Sequence, residues 1–147
     1  MGMFRSFGIN SSGMTAQRFR TDIISQNVAN ASTTRTENGT PYRRKIVSFA
    51  EKSTTPSFSS VLAKANSSYS GSGVKVSEVS EDIENDFVMK YDPSHPDADE
   101  NGYVSYPNVN IVTEMTDLID ASRSYEANAT AFSASKSMAV KGLEMAK

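Results

Sequence analysis

Cysteine and tryptophan are both missing from the 147 residues. With no thiol there is no disulfide and no thiolate metal site, and the redox compartment is left open. Strong core-forming side chains are scarce as well: Leu, Ile, Val and Phe fill 28 of 147 positions, about 19%, at the edge below which chains fail to offset ordering entropy by burial. There is no excess of one charge, since the formal net charge is −2. Self-repulsion therefore does not hold the chain open, and the near-neutral balance argues against a general nucleic-acid binder, which usually shows a basic face. No stretch approaches the ~20 apolar residues of a transmembrane helix. The segment Met1 to Gly13 has a single Arg and no long apolar run, so it does not read as a cleavable secretory signal. The expectation is a chain that folds incompletely alone and completes its burial against protein partners, without nucleic acid, cofactor or direct membrane insertion. If it leaves the cytoplasm, another export route must carry it.

What is present falls into three stretches: an amino-terminal helix segment (1–36), a β-rich middle (37–106) containing a Ser/Thr-rich loop (52–73), and a carboxy-terminal helix segment (107–147). From about Ser11 to Ala31 the pattern is helical, with Ile9, Ala16, Ile23 and Asn30 spaced by seven and Phe19 on the same side. Ser11 or Ser12 is suited to cap its start. From about Asn108 to Met145 a heptad seam runs through Ile111, Met115, Leu118, Ser122, Tyr125, Ala129 and Phe132, then slips by one residue through Met138. Asn108 or Asn110 caps this helix after Pro107. Many seam positions are Ala, Ser, Asn or Met, so each helix buries little by itself, while its small side chains permit close approach of a neighbour.

The middle stretch predicts strands over Tyr42 to Phe49, around Val74, Val76 and Val79, over Phe87 to Tyr91 and over Tyr103 to Tyr106, forming a small antiparallel sheet. Asn38-Gly39 predicts a type I′ turn. Residues 52–73 hold ten Ser or Thr and predict a mobile loop. The fold class expected is α+β, with the two long terminal helices paired as a coiled coil.

Four groups invite a chemical reading, and each has a plainer one. Asp97, Asp99, Asn101 and Gly102 match the first half of an EF-hand loop, but Asn108 stands where the bidentate Glu is needed and Pro93 and Pro96 preclude the entering helix. An acidic surface turn is the competing reading. His95, the sole histidine, lies near Asp92 and Asp97, as in a general-base dyad; yet no nucleophile elbow surrounds any Ser, and a turn-ordering role competes. Tyr42 and the basic run Arg43-Arg44-Lys45 read either as a solvated strand face or as an outer contact with a neighbour's acidic turn, which would include Tyr91, Asp92, His95, Asp97 and Asp99. Asn27 and Asn30 read as helix termination or as a polar pin fixing register in a bundle.

Taken in order, Ser11-Ser12-Gly13-Met14-Thr15-Ala16-Gln17, Asn27-Val28-Ala29-Asn30, Pro41-Tyr42-Arg43-Arg44-Lys45, Gly73-Val74-Lys75-Val76, Tyr91-Asp92-Pro93-Ser94-His95-Pro96-Asp97-Ala98-Asp99, Gly102-Tyr103-Val104, Pro107-Asn108-Val109-Asn110 and Ser122-Arg123-Ser124-Tyr125-Glu126-Ala127-Asn128 span the chain end to end. This series resembles the flagellar rod and hook axial protein family, and within it the proximal rod proteins. The resemblance implies a non-enzymatic structural subunit of the basal-body rod, polymerising by helix packing into a torque-transmitting shaft that crosses the periplasm. It also implies other rod proteins, the inner-membrane ring and the flagellum-specific type III export apparatus as partners. The alternative is a periplasmic calcium- or cell-wall-binding module that uses coiled coils to dimerise.

Overall fold

A computed structural model describes residues 3–52 and 72–145, with side chains from residue 5 onward. The elements in order are α1 (Met3–Ala29), β1 (Lys45–Glu51), β2 (Val74–Glu81), β3 (Val88–Tyr91), β4 (Tyr103–Tyr106) and α2 (Ile111–Glu144). The expected α+β architecture is therefore present: long helices at both ends and antiparallel strands between them. The strands form two sheets of two, β1 with β2 and β3 with β4, in place of the single sheet expected. The predicted loop lies almost wholly outside the described residues.

The helix α1 begins eight residues earlier than the Ser-Ser pair suggested. Ser12 is thus not a cap: its hydroxyl donates to the Ile9 carbonyl at 2.7 Å and accepts the Val74 N–H at 3.1 Å. The extra turns carry Phe7, whose ring meets that of Phe132 edge-on with centroids 5.0 Å apart. Burial of that ring outweighs the weak local preference of the Gly8 and Ser11-Ser12 region for helix. At the other end, Asn110 caps α2, its side-chain oxygen accepting the N–H groups of Val112 (3.0 Å) and Thr113 (3.4 Å).

The Asn38-Gly39 turn also differs in type. Among the described residues no non-glycine has positive φ, so Asn38 cannot occupy a type I′ turn, which needs positive φ at both central residues. Instead, Gly39 N–H donates to Thr36 O and Thr36 N–H to Thr40 O, each at 2.9 Å. Glu37 and Asn38 are the central pair, and Gly39 follows at φ 76°. That is a three-residue loop with a glycine bulge, and only its last residue needs the left-handed conformation.

The chain divides into two compact units. The first comprises Met1–Arg18, Phe49–Ser77 and Ser122–Lys147. Its buried apolar side chains, among the described residues, are two alanines, Ala16 and Ala139. Phe7 and Gly13 of α1 lie against Phe132 and Asn128 of α2, so the helix segments run antiparallel. The second unit comprises Phe19–Ser48 and Glu78–Ala121. It buries Ile23, Ile24, Val104 and Ala121 together with polar Asn27, Asp82 and Glu114. In β3–β4 the register places Tyr91 opposite Tyr103 and Lys90 opposite Val104. The Val104 face is inward, while Met89, Tyr91 and Tyr103 are exposed.

Candidate assembly interface

The second unit is organised around a polar cluster. Asn27 is 1% exposed and Glu114 is fully buried. The Asn27 amide N–H groups donate to Lys45 O at 2.9 Å and to Glu114 Oε2 at 3.0 Å. Its oxygen accepts the Lys45 N–H and the Tyr42 hydroxyl, both at 2.9 Å. All four hydrogen-bonding positions of the amide are used, and Asn27 serves Lys45 as a neighbouring strand would. Glu114 Oε1 takes the Arg44 Nε–H at 2.6 Å; Asp117 pairs with Arg44 (3.4 Å) and with Arg20 (3.2 Å). Two cations thus meet two carboxylates, and the helices are tied to the start of β1. Asn108 adds a further tie, accepting the Arg44 N–H at 2.9 Å while donating to the carbonyls of Asp82 and Asn85.

Burial, reinforced by the negative charges of Glu114 and Glu81, pushes the Tyr42 hydroxyl above its ordinary value of 10.0. The unfolded chain would then release this proton near pH 10, while the folded chain keeps it. Stability is complete below about pH 10 and falls as pH rises through the folded value. Phenylalanine at position 42 should remove this share of the alkaline loss while costing about 1 kcal/mol at neutral pH for the missing hydrogen bond. Urea midpoints for the two proteins between pH 7 and pH 11 check both effects. Asp82 moves the other way, its carboxyl held below the usual carboxylate range by hydrogen bonds from Asn85, at 2.9 Å from Nδ2 and 3.2 Å from the backbone N–H.

The acidic turn is occupied with the chain's own donors. Asp99 Oδ1 accepts the N–H groups of Asn101 (2.9 Å) and Tyr103 (2.8 Å), and Asp97 accepts from Thr34 at 2.8 Å and faces Arg35 at 3.6 Å. His95 Nδ1 accepts the Asp97 N–H at 3.1 Å, and Asp92 accepts from Ser94, which lowers its carboxyl. These are the contacts of an ordered turn.

The other residues singled out in the sequence separate by burial. Ala16 and Ile23 are buried; Asn30, Leu118, Ala129 and Phe132 are half-buried; Ile9, Phe19, Met115, Ser122, Tyr125 and Met138 are exposed. Tyr42, Arg43, Arg44, Lys45, Asp92, His95 and Asp97 are half-buried, while Tyr91 and Asp99 are exposed. Arg43 donates to the Asp82 carbonyl at 2.9 Å and lies 4.4 Å from the centre of the Phe87 ring. Sequence reasoning missed Glu114 as the partner of Arg44, because nothing local links residues 70 positions apart. It also missed Val112 and Ile119, which with Met115 place three exposed apolar residues on one side of α2.

The family described as "Flagella basal body rod protein" matches residues 9–35, and that described as "Flagellar basal body rod FlgEFG protein C-terminal" matches residues 100–145. The chain is 48% identical to the flagellar basal-body rod protein FlgC of Bacillus subtilis over the whole of both chains. It is 46% identical to that of Borreliella burgdorferi, covering 94% of this chain and 93% of the relative. For the Escherichia coli protein the identity is 37%, covering 99% and 98%. Nothing in these likenesses supports a calcium- or cell-wall-binding module. Helices at both ends, a β-rich middle and relatedness along the full length agree: the chain belongs to the FlgC family of flagellar basal-body rod proteins.

Proposed function

We propose that the chain is a non-catalytic subunit that polymerises into the rod through the exposed faces of α1 and α2, alongside other rod proteins, so that many packed helices carry torque in parallel. One observation carries this reading: α2 leaves Met115, Tyr125, Met138 and Leu143 exposed, while among the described residues its amino-terminal partner gives the first unit one fully buried apolar side chain, Ala16, beside the half-buried Phe7. A helix of 34 residues with so thin a buried stripe draws its order from neighbours, since tertiary packing and not propensity supplies most helix stability. Contacts between unlike surfaces of successive copies build an open helical array when the rotation does not close. The same thin packing favours unfolding for passage through the type III apparatus. The inner-membrane ring is then the base on which the rod grows, and the assembled position is the periplasm-spanning shaft.

Amide exchange tests this directly. In a dilute monomer, residues 116–132 should exchange within minutes, and in purified basal bodies they should be protected at least about a hundredfold more, as expected when local opening is suppressed by neighbours. Equal and strong protection in both states would refute the proposal.

A further inference from the structure

The chain contains two Asn-Gly pairs, Asn38-Gly39 and Asn101-Gly102, each preceded by Glu. They occupy the same backbone device. Gly102 N–H donates to Asp99 O at 3.0 Å and Asp99 N–H to Tyr103 O at 2.9 Å, which repeats the Thr36 to Thr40 pattern. Gly102 has φ 81°, close to the 76° of Gly39. Local sequence and turn geometry are thus matched, and the two sites differ in what surrounds them.

Around Gly39 nothing lies within 4 Å of where a Cβ would stand, and both Asn38 and Gly39 are exposed. Gly102 is buried; a Cβ there would meet Tyr91 at 3.0 Å and Pro93 at 3.1 Å. The Asn101 turn is further fixed by Asp99 Oδ1, which accepts the N–H groups of both Asn101 and Tyr103. It also leads directly into β4, whose Tyr103 ring packs on Tyr91 with centroids 5.3 Å apart.

We infer that Asn38 is a site of spontaneous deamidation in the folded protein and that Asn101 is protected from the same reaction. The step is an attack of the Gly39 backbone nitrogen on the Asn38 side-chain carbonyl carbon. The new N–C bond closes a five-membered succinimide, the nitrogen's proton passes to solvent, and the side-chain nitrogen leaves as ammonia. Water then opens the ring at either carbonyl, giving aspartate or isoaspartate, so the net change is asparagine and water to acid and ammonia. In both turns the glycine N–H is held by a carbonyl three residues back, so the attack requires that turn to open. Opening costs little at an exposed loop tip and much where the turn is wedged by rings and tied into a sheet. The product matters at this place, because Asn38 lines a groove of about 330 Å³ that also holds Arg43 and Lys45. Deamidation adds a negative charge beside those two cations, and isoaspartate lengthens the loop backbone by one atom.

The test is peptide-mapping mass spectrometry of the full chain held at 37 °C and mildly alkaline pH, folded and in denaturing urea, with isoaspartyl methyltransferase labelling. In the folded protein the Asn38 peptide should gain about 1 Da at least about tenfold faster than the Asn101 peptide, a ratio set by unequal local opening. In urea the two rates should converge. An Asn38→Gln chain should lose the signal from its peptide only. Equal rates in the folded protein, faster conversion at Asn101, or a persistent difference in urea would each overturn the inference, the last by locating the cause in sequence and not in the fold.

Discussion

Cells carrying Tyr125→Asp as their sole copy express the protein at the normal level and do not swim. Tyr125 lies on α2 and is 42% exposed in the single chain, so a charge there leaves the monomer fold nearly untouched. In the proposed assembly the same position is covered by a neighbouring helix. Burying a carboxylate without a partner costs about 3 kcal/mol or more per contact, on the order of a hundredfold in affinity, and the penalty recurs in every copy. Tyr125→Phe keeps the ring and should keep swimming. Soft-agar spreading reports motility, and immunoblots of purified basal bodies report whether the chain has been incorporated. Normal swimming with Asp at 125 would mean that this face stays open to solvent in the rod.

The second large effect is on stability. Asn27→Ala should lower stability by about 3 kcal/mol, since it removes four hydrogen bonds and takes the amide partner from Glu114 Oε2 and from both backbone groups of Lys45, leaving Glu114 held by Arg44 alone. For a chain of this size that corresponds to a melting temperature lower by roughly 10 °C. Asn30 provides the contrast. Half-buried, its amide bonds only to near neighbours, donating to Gln26 O and accepting the Thr33 hydroxyl, and Asn30→Ala should change stability by less than about 0.5 kcal/mol. Thermal unfolding followed by circular dichroism compares the two variants. Equal effects would show that the buried amide is not the tie between α1, β1 and α2.

The contrast between the two asparagines also marks where the sequence was legible. Periodicity located both helices, and the cap after Pro107 was readable because Asn beside an apolar-periodic run has one dominant use. The strand β4 was found at its observed limits, since Tyr103 to Tyr106 lies between a glycine and a proline. Other features depended on distant contacts. The helix α1 begins at Met3 because Phe7 meets Phe132, a pairing invisible to any window around Ser11. Arg43-Arg44-Lys45 looked like an outward-facing basic run, yet Arg44 is spent on Glu114 and Asp117, and its alternation with neighbours gave no hint of that. Asn27 was read as helix terminator or polar pin, and the structure gives it a precise third task, that of a surrogate strand for Lys45. The Asn-Gly pair named a turn correctly but not its type, because the register of the flanking bonds, and not the dipeptide, decides which residue takes positive φ. For the proposed interface, the heptad pattern identified Met115, Tyr125 and Met138 but not the companion stripe of Val112 and Ile119, whose spacing only acquires meaning once the opposite face of α2 is known to be occupied by Glu114 and Ala121.

Because the chain has no cysteine, one introduced thiol reports on a single position. Met138 is 67% exposed in the single chain, and Met138→Cys places a thiol on the stretch of α2 proposed to meet neighbouring copies. Maleimide labelling of that variant, as purified monomer and within intact basal bodies from swimming cells, is the decisive measurement. Rapid modification of the monomer with little or none in the assembled rod is the predicted result; equal modification in both would contradict the claim that these helices are covered by their neighbours.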